Sequence, residues 1–286
     1  MAATARFNDP TLPDSPALYL AFALSNRSRK LAFSSGLGQK PRIRSIPARD
    51  PQAKDARNLH LELLTLKSDR TRITNRIKGL LAAQGLSAPS PARGFPNQLD
   101  DLRLWDGTPL CPELRQRLEP EWLHRCYVSD RIRHIEKIQT ERLEASDDPA
   151  FALVRQLMTL KGVGLQSAWL FTFEFFAWRN IQNRRQLAAL CGFTPTPYQS
   201  GDESLDQGIS KAGSSLVRAM TIQIAWRWLH FQPDSALTLW FQRRFANGGR
   251  RMRAIGIVAV ARRLLIELWR FIENGSLPEG AVTSPP

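Results

Sequence analysis

The sequence predicts a mainly α-helical protein with a short β segment ahead of the helices. Three patterns carry this. Leu59, Leu63, Leu66, Ile73, Ile77 and Leu80 recur in steps of three and four, with Arg70 at the one polar slot. Those steps are the helical period and fit a heptad. Leu114, Leu118, Trp122, Val128, Ile132, Ile135 and Ile138 form a second stripe of the same kind. Strand-like runs are confined to residues before 50, and beyond 150 the chain reads as compact helices joined by short turns.

Taken in order, residues 1–16 are polar and proline-bearing and read as a loose arm. "ALYLAFALSNRSRKLAFSS" reads as two strands around a turn, Leu18–Leu24 and Lys30–Ser34. "PRIRSIPARD" adds a third short strand with Ile43 and Ile46 inward, kept short by its prolines. A long helix follows over 53–84, closed by Gly85. Its 32 residues make a rod of roughly 48 Å. Such a rod cannot bury its stripe alone. It asks for a partner, either the second stripe over 113–143 or a second copy of the chain. The proline-rich "SAPSPARGFPNQL" joins the two stripes, and an antiparallel coiled coil is the expected result. "ASDDPA" at 145–150 marks a boundary and starts the next helix on acidic residues.

Composition bounds the partners. The 286 residues are 43% hydrophobic with a mean hydropathy of −0.31, values of an ordinary globular protein. The charge is less ordinary: 40 Lys and Arg against 26 Asp and Glu give +14 and an isoelectric point near 10.6. Eleven basic residues fall between 211 and 270, opposed only by Asp234 and Glu267. A concentrated excess of one sign points to a polyanion, and nucleic acid is the expected partner. Cys111, Cys126 and Cys191 match no zinc spacing and the four histidines are scattered, so no metal site is expected from them. A reduced, cytoplasmic, nucleoid-associated protein follows as the default. The start has no apolar leader and no uncharged run reaches membrane-span length, so no membrane partner is expected.

Four segments could carry chemistry. "LMTLKGVGLQSAWLF" ends an apolar helix at a Gly162-Val163-Gly164 turn. It reads as a helix-hairpin-helix whose exposed amides, with Lys161, hold a DNA phosphate. The alternative is a mere helix–helix turn. "NRRQLAALCGFTPTPYQSG" gives a short helix over Gln186–Cys191, Gly192 as its cap, and a loop stiffened by Pro195 and Pro197 that ends at Ser200-Gly201. Ser200 is either a linker serine or a nucleophile. No histidine supports a hydrolase triad, and an arginine-rich surrounding suits attack on a phosphodiester better. In "GISKAGSSLVRAM", Lys211 and Gly213 precede a helix capped by Ser214 or Ser215, with Arg218 on its first turns. A final amphipathic helix carries Arg262-Arg263. Arg250 and Arg251 lie ahead of it and join Lys211 and Arg218 as DNA-binding candidates. Most of the tryptophans after 150 are expected in the core, with one or two exposed to stack on bases.

The order "LKGVG", "RRQLAALCGFTPTPYQSG", "GISKAGSSLVRAM", "VAVARRLLIELW" resembles the C-terminal domain of the IS110 (IS116/IS110/IS902) insertion-sequence transposases over about 157–280. The helix after residue 55 resembles that family's coiled coil. The resemblance implies a recombinase with an N-terminal RuvC-like, RNase H-like domain holding four carboxylates and Mg²⁺, a C-terminal serine domain, and a structured guide (bridge) RNA. It places the catalytic serine at Ser200, attacking a DNA phosphate to give a covalent intermediate. One departure stands out. "LYLAFALSN" resembles the strand that ends in the first metal ligand, yet Ala23 stands where the acid is expected, and a methyl group binds no Mg²⁺. The stretch 17–50 is also too short for such a domain.

The expected architecture is therefore a mainly α chain in three parts. Residues 1–52 are a truncated RNase H-like β remnant, 53–148 a long antiparallel coiled coil, and 149–286 a helical serine domain with a helix-hairpin-helix. The expected function is DNA strand exchange by a homo-oligomer with a defective metal domain. The alternative is a non-catalytic DNA-binding or assembly protein built on the same helices.

Overall fold

The computed structural model describes residues 19–24, 28–34, 42–47, 51–86, 91, 94–200 and 203–284. The expected arm over 1–16 lies outside the described residues, as does most of the proline-rich stretch at 87–93. The chain divides into two compact units, residues 1–54 and 55–286.

In the first unit, β1 (Tyr19–Leu24), β2 (Ser28–Ser34) and β3 (Arg42–Pro47) form an antiparallel sheet in the order β1-β2-β3. The ladder pairs Tyr19 with Ser34 and Leu24 with Arg29, then Arg42 with Phe33 and Pro47 with Ser28. Pro47 closes β3, a strand-end position that proline tolerates. The β2–β3 ladder runs without interruption from Ser28–Pro47 to Phe33–Arg42.

The second unit begins as a long helical stalk. α1 (Pro51–Ala82) opens on a proline at its first position, where the missing N–H costs nothing. It ends with Leu86 donating its N–H back to Leu81 O at 3.1 Å. α2 (Phe95–Asp101) and α3 (Pro112–Ala145) follow. Leu63, Ile73, Ile77 and Leu81 of α1 share one buried cluster with Leu118, Val128, Ile132 and Ile135 of α3, closed at the far end by Phe95 and Leu99 of α2. Ion pairs from Asp55 to Arg142, Glu62 to Arg131 and Arg76 to Glu121 run in opposite chain directions, so α1 and α3 are antiparallel. These pairs are half-exposed and add little stability; the apolar stripe does the holding.

Two details differ from the expected stripe. Leu81, not Leu80, is the fully buried residue near the end of α1, because 3.6 residues per turn drift off a 3.5 repeat. Gln139, not Ile138, is fully buried near the base of α3. Its amide oxygen accepts from Gln166 Nε2 at 2.8 Å, so a polar contact replaces the apolar one where the stalk meets the following helices.

That junction is also fastened by Trp169, whose Nε1 donates to Ala56 O at 2.9 Å, and by an ion pair from Arg57 to Glu174. α4 (Pro149–Met158) is capped by Asp148. α5 (Leu165–Leu170) runs on through a π-helical segment, Phe171–Phe176, whose wider turns bury all four of its phenylalanines. Then come α6 (Arg184–Leu190), a hairpin of β4 (Pro195–Ser200) and β5 (Glu203–Ile209), α7 (Ser215–Phe231), α8 (Ala236–Phe245) and α9 (Arg250–Asn274). Asn183, Ser214 and Ser235 cap α6, α7 and α8 through side-chain oxygens. The core lies between α7 (Val217, Ile224, Trp228) and α9 (Val260, Leu264, Leu268). Trp169 and Trp228 are fully buried, and Trp226 is exposed.

The hairpin corrects the expectation of an all-helical C-terminal part with a stiff loop at 194–200. Pro195 and Pro197 sit in β4 with a register irregularity between them. Proline is tolerated at a strand's first residue and beside a bulge. Among the described residues, no helix is long and apolar enough to cross a membrane.

Candidate nucleic-acid site: the serine hairpin and the arginine-rich helices

Ser200 is the last residue of β4 and pairs with Glu203 across the hairpin. The turn at 201–202 lies outside the described residues. Pro195 and Ser200 are the first and last residues of the six-residue β4, so the serine stands about 17 Å beyond the hairpin base.

The base is clamped from both sides. Lys211 N–H donates to Gly192 O at 3.1 Å, Ser214 N–H to Leu190 O at 3.0 Å and Ser210 N–H to Thr194 O at 2.8 Å. The hydroxyls of Thr194 and Ser210 meet at 3.1 Å. Gly192 (φ 69°) and Gly213 (φ 90°) make this crossing possible. A Cβ on Gly192 would overlap Ala212 O, and one on Gly213 would overlap Leu190 O. Both positions need a left-handed backbone and the absence of a side chain. Gly192 is legible in the sequence as a helix cap; its meeting with Gly213 is not, because the two lie well apart in the chain and no local signal ties one to the other.

The sequence candidates fall into separate places. Lys211 is exposed at the clamp, with a positive φ of 56°. Arg218 is half-buried beside it, and its Nη1 donates to Cys191 O at 3.0 Å. One arm of that guanidinium therefore holds the carbonyl end of α6, where a cation is favoured. Cys191 itself is buried, which pushes its thiol up to about 12 against the pull of Arg179 and Arg218. It stays a thiol and offers no rival nucleophile.

Lys161, Gly162 and Gly164 lie at the other end of α7. A Cβ on Gly162 would sit 3.5 Å from Phe231 Cβ, and the run of α7 (Ser215–Phe231) from Arg218 to that end is about 20 Å long. Lys161 is exposed, but its turn is fastened inward. Lys161 N–H donates to Val282 O at 3.2 Å and Val163 N–H to Leu160 O at 3.0 Å. Gly164 N–H donates to Ser167 Oγ at 3.1 Å, and Gln232 Nε2 donates to Lys161 O at 2.9 Å. Three of the amides expected to face a phosphate thus already have protein acceptors.

Arg250 and Arg251 are exposed in the first turn of α9. Cations there oppose the helix dipole. With Arg243 and Arg244 in the last turn of α8 they make a concentrated positive edge. Between this edge and the hairpin base lies a groove of about 930 Å³ walled by Phe193, Ile209, Trp240, Ile255 and Val258. Arg244, Arg262 and Arg263 also line it, and the Arg263 guanidinium sits 3.8 Å from the centre of the Trp240 ring, a cation–π contact. In the sequence Arg262-Arg263 stand on an amphipathic helix with no evident reason. The groove explains them.

The β1 position expected to supply a carboxylate is Ala23. Among the described residues, no three His, Cys, Asp or Glu come together to hold a metal.

Comparison with known proteins places this arrangement. The profile of the transposase IS116/IS110/IS902 family matches residues 154–239, which span α4 through the first part of α8 and include the clamped hairpin. The protein named "Putative transposase y4rJ" of Sinorhizobium fredii is 38% identical over 268 residues, 90% of this chain and 66% of that protein. The transposase for insertion sequence element IS1328 of Yersinia enterocolitica is 29% identical over 176 residues, 62% of this chain and 50% of its own length. The transposase for insertion sequence element IS1111A of Coxiella burnetii is 25% identical over 157 residues, 55% of this chain and 42% of its own. The chain thus spans between about two fifths and two thirds of the relatives it matches. The similarity extends along nearly the whole chain in the first of them, and the chain belongs to the IS116/IS110/IS902 family of insertion-sequence transposases.

Proposed function

We propose that this chain binds DNA through its arginine-rich C-terminal helices and exchanges strands through Ser200. The observation that supports this reading is the clamped hairpin. Gly192 and Gly213 fix its base against α6 and α7, and its far end carries Ser200. A rigid base and a serine at the tip suit a nucleophile that must reach a phosphate on a separate duplex. In the proposed step, Ser200 Oγ forms a bond to the phosphorus while a deoxyribose oxygen leaves as a free hydroxyl. The serine's proton balances that hydroxyl. A second strand's hydroxyl then attacks the phosphoserine and restores the serine. Two phosphoesters are exchanged for two, so no cofactor energy is required.

In the same reading the stalk is an antiparallel coiled coil and the α4–α5 turn is a helix-hairpin-helix. Lys161 supplies a side-chain contact to the DNA backbone, and the amides serve packing. Lys211, Arg218, Arg250 and Arg251 add backbone contacts, which position DNA without reading its sequence. The Mg²⁺ expected of this family gains no ligand from Ala23, so no step is drawn through it. The guide RNA implied by the resemblance is a further proposed partner, tested by adding it to the exchange reaction.

The test uses the full chain and a duplex from an element end. Ser200→Ala is expected to keep DNA affinity within about twofold and to abolish covalent capture of the DNA. If binding and every cellular effect survive Ser200→Ala, the second reading holds: a non-catalytic DNA-binding or assembly protein. Ala23 on β1 favours that second reading.

A further inference from the structure

The far end of the stalk presents Trp105 on a turn fixed from within. Arg103 and Pro109 bridge across it. Leu104 N–H donates to Thr108 O at 2.8 Å and Gly107 N–H to Leu104 O at 2.9 Å. Asp106 Oδ1 accepts from Thr108 N–H at 3.0 Å and from the Thr108 hydroxyl at 2.6 Å. On this turn the Trp105 side chain is 93% exposed. A large aromatic held in water by a pre-ordered turn loses little further freedom when a partner buries it. Such residues are the usual anchors of protein interfaces.

The charge around Trp105 is the reverse of the chain's. Residues 94–119 hold five acids and three arginines, in a protein of net charge +14. A polyanion is a poor occupant for that tip, and a basic apolar surface is a good one. The groove beside the serine hairpin has this chemistry. Its wall is aromatic and aliphatic, three arginines line it, and among the described residues no acid does. Met252 and Ile255 leave 46% and 52% of their surface open at its α9 side, and its 930 Å³ is within the range that takes a bulky guest.

The turn cannot reach the groove of its own chain. The stalk meets the C-terminal helices at Ala56 and carries the turn beyond Leu81, about 37 Å away along α1. We propose that the Trp105 turn of one copy docks in the arginine-lined groove of a second copy, and that two reciprocal contacts close a symmetric pair. Trp105 enters between Ile255 and Trp240, and Asp106 faces Arg244, Arg262 or Arg263. Because Phe193 and Ile209 of the hairpin base wall the groove, each copy braces the strand that leads to its partner's Ser200. The inference stands without the serine chemistry.

Sedimentation of the full chain over a range of concentrations tests it. Wild type is expected to form pairs. Trp105→Ala and Ile255→Glu change exposed side chains, so both should melt like wild type while weakening association at least tenfold. Mixing the two variants rebuilds one intact contact, so the mixture should associate more tightly than either alone. A photo-crosslinking residue at 105 should label a peptide within 240–263 of another copy. Unchanged association in Trp105→Ala overturns the proposal. So does a crosslink elsewhere, a wild-type chain that stays monomeric throughout, or an Ile255→Glu variant that loses DNA binding while still associating. That last result would give the groove to nucleic acid.

Discussion

Gly192 and Gly213 each close a crossing that no side chain can enter. Replacing either with alanine adds left-handed strain and an overlap with a backbone carbonyl, and should cost about 2 kcal/mol or more. In a chain of this size that lowers the melting temperature by roughly 4–8 °C. Gly79→Ala is the contrast. A Cβ there meets nothing within 4 Å, and alanine should stabilise α1 by up to about 1 kcal/mol. His60 gives a residue-scale pH dependence. Burial, with Lys67 adding to it, pushes its pKa from 6.5 to about 4. The folded value lies below the unfolded one, so the unfolded chain holds more protons between them. Stability is full above pH 6.5 and falls as the pH drops toward 4, by up to about 3 kcal/mol. Denaturant melts at pH 7 and 4.5 should show this loss, and His60→Leu should flatten it.

At the scale of elements, the α8–α9 turn gathers Arg243, Arg244, Arg250 and Arg251. If Arg250 and Arg251 touch DNA phosphates, their double change to alanine should weaken binding similarly for all sequences. It should also lower the salt slope of log affinity by about two. An unchanged slope would remove both residues from the DNA surface. The elements also show what was legible in the chain. The α1 and α3 stripes were readable because each keeps one period for about six or seven turns and needs only a partner helix. The strands before residue 50 were readable from local alternation. The hairpin was not. Pro195, Pro197 and the glycines and serines around Ser200 are turn-formers locally, and the clamp that orders them is tertiary. Arg218 looked like a free cation until Cys191 O claimed one arm of it. The Lys161 turn reads as open in the sequence, but its Lys161 N–H is taken by the tail at Val282 O and its Lys161 carbonyl by Gln232. Ser200 itself was marked by resemblance; its residues alone left linker and nucleophile both standing.

At the scale of the molecule, charge is segregated. The C-terminal helices carry the positive excess, and residues 94–119 hold more acids than arginines; in the two proposals the first region meets a polyanion and the second a basic face of another copy. Family membership places the chain among insertion-sequence transposases. The central claim is narrower: the serine at the end of a clamped hairpin does the covalent chemistry. The most direct measurement is mass spectrometry of the full chain after quenched reaction with element-end DNA, with and without guide RNA. The account predicts a nucleotide-bearing phosphoester on Ser200 that is absent from Ser200→Ala. An adduct on another residue, no adduct on DNA the chain binds, or strand exchange by Ser200→Ala at the wild-type rate would contradict it.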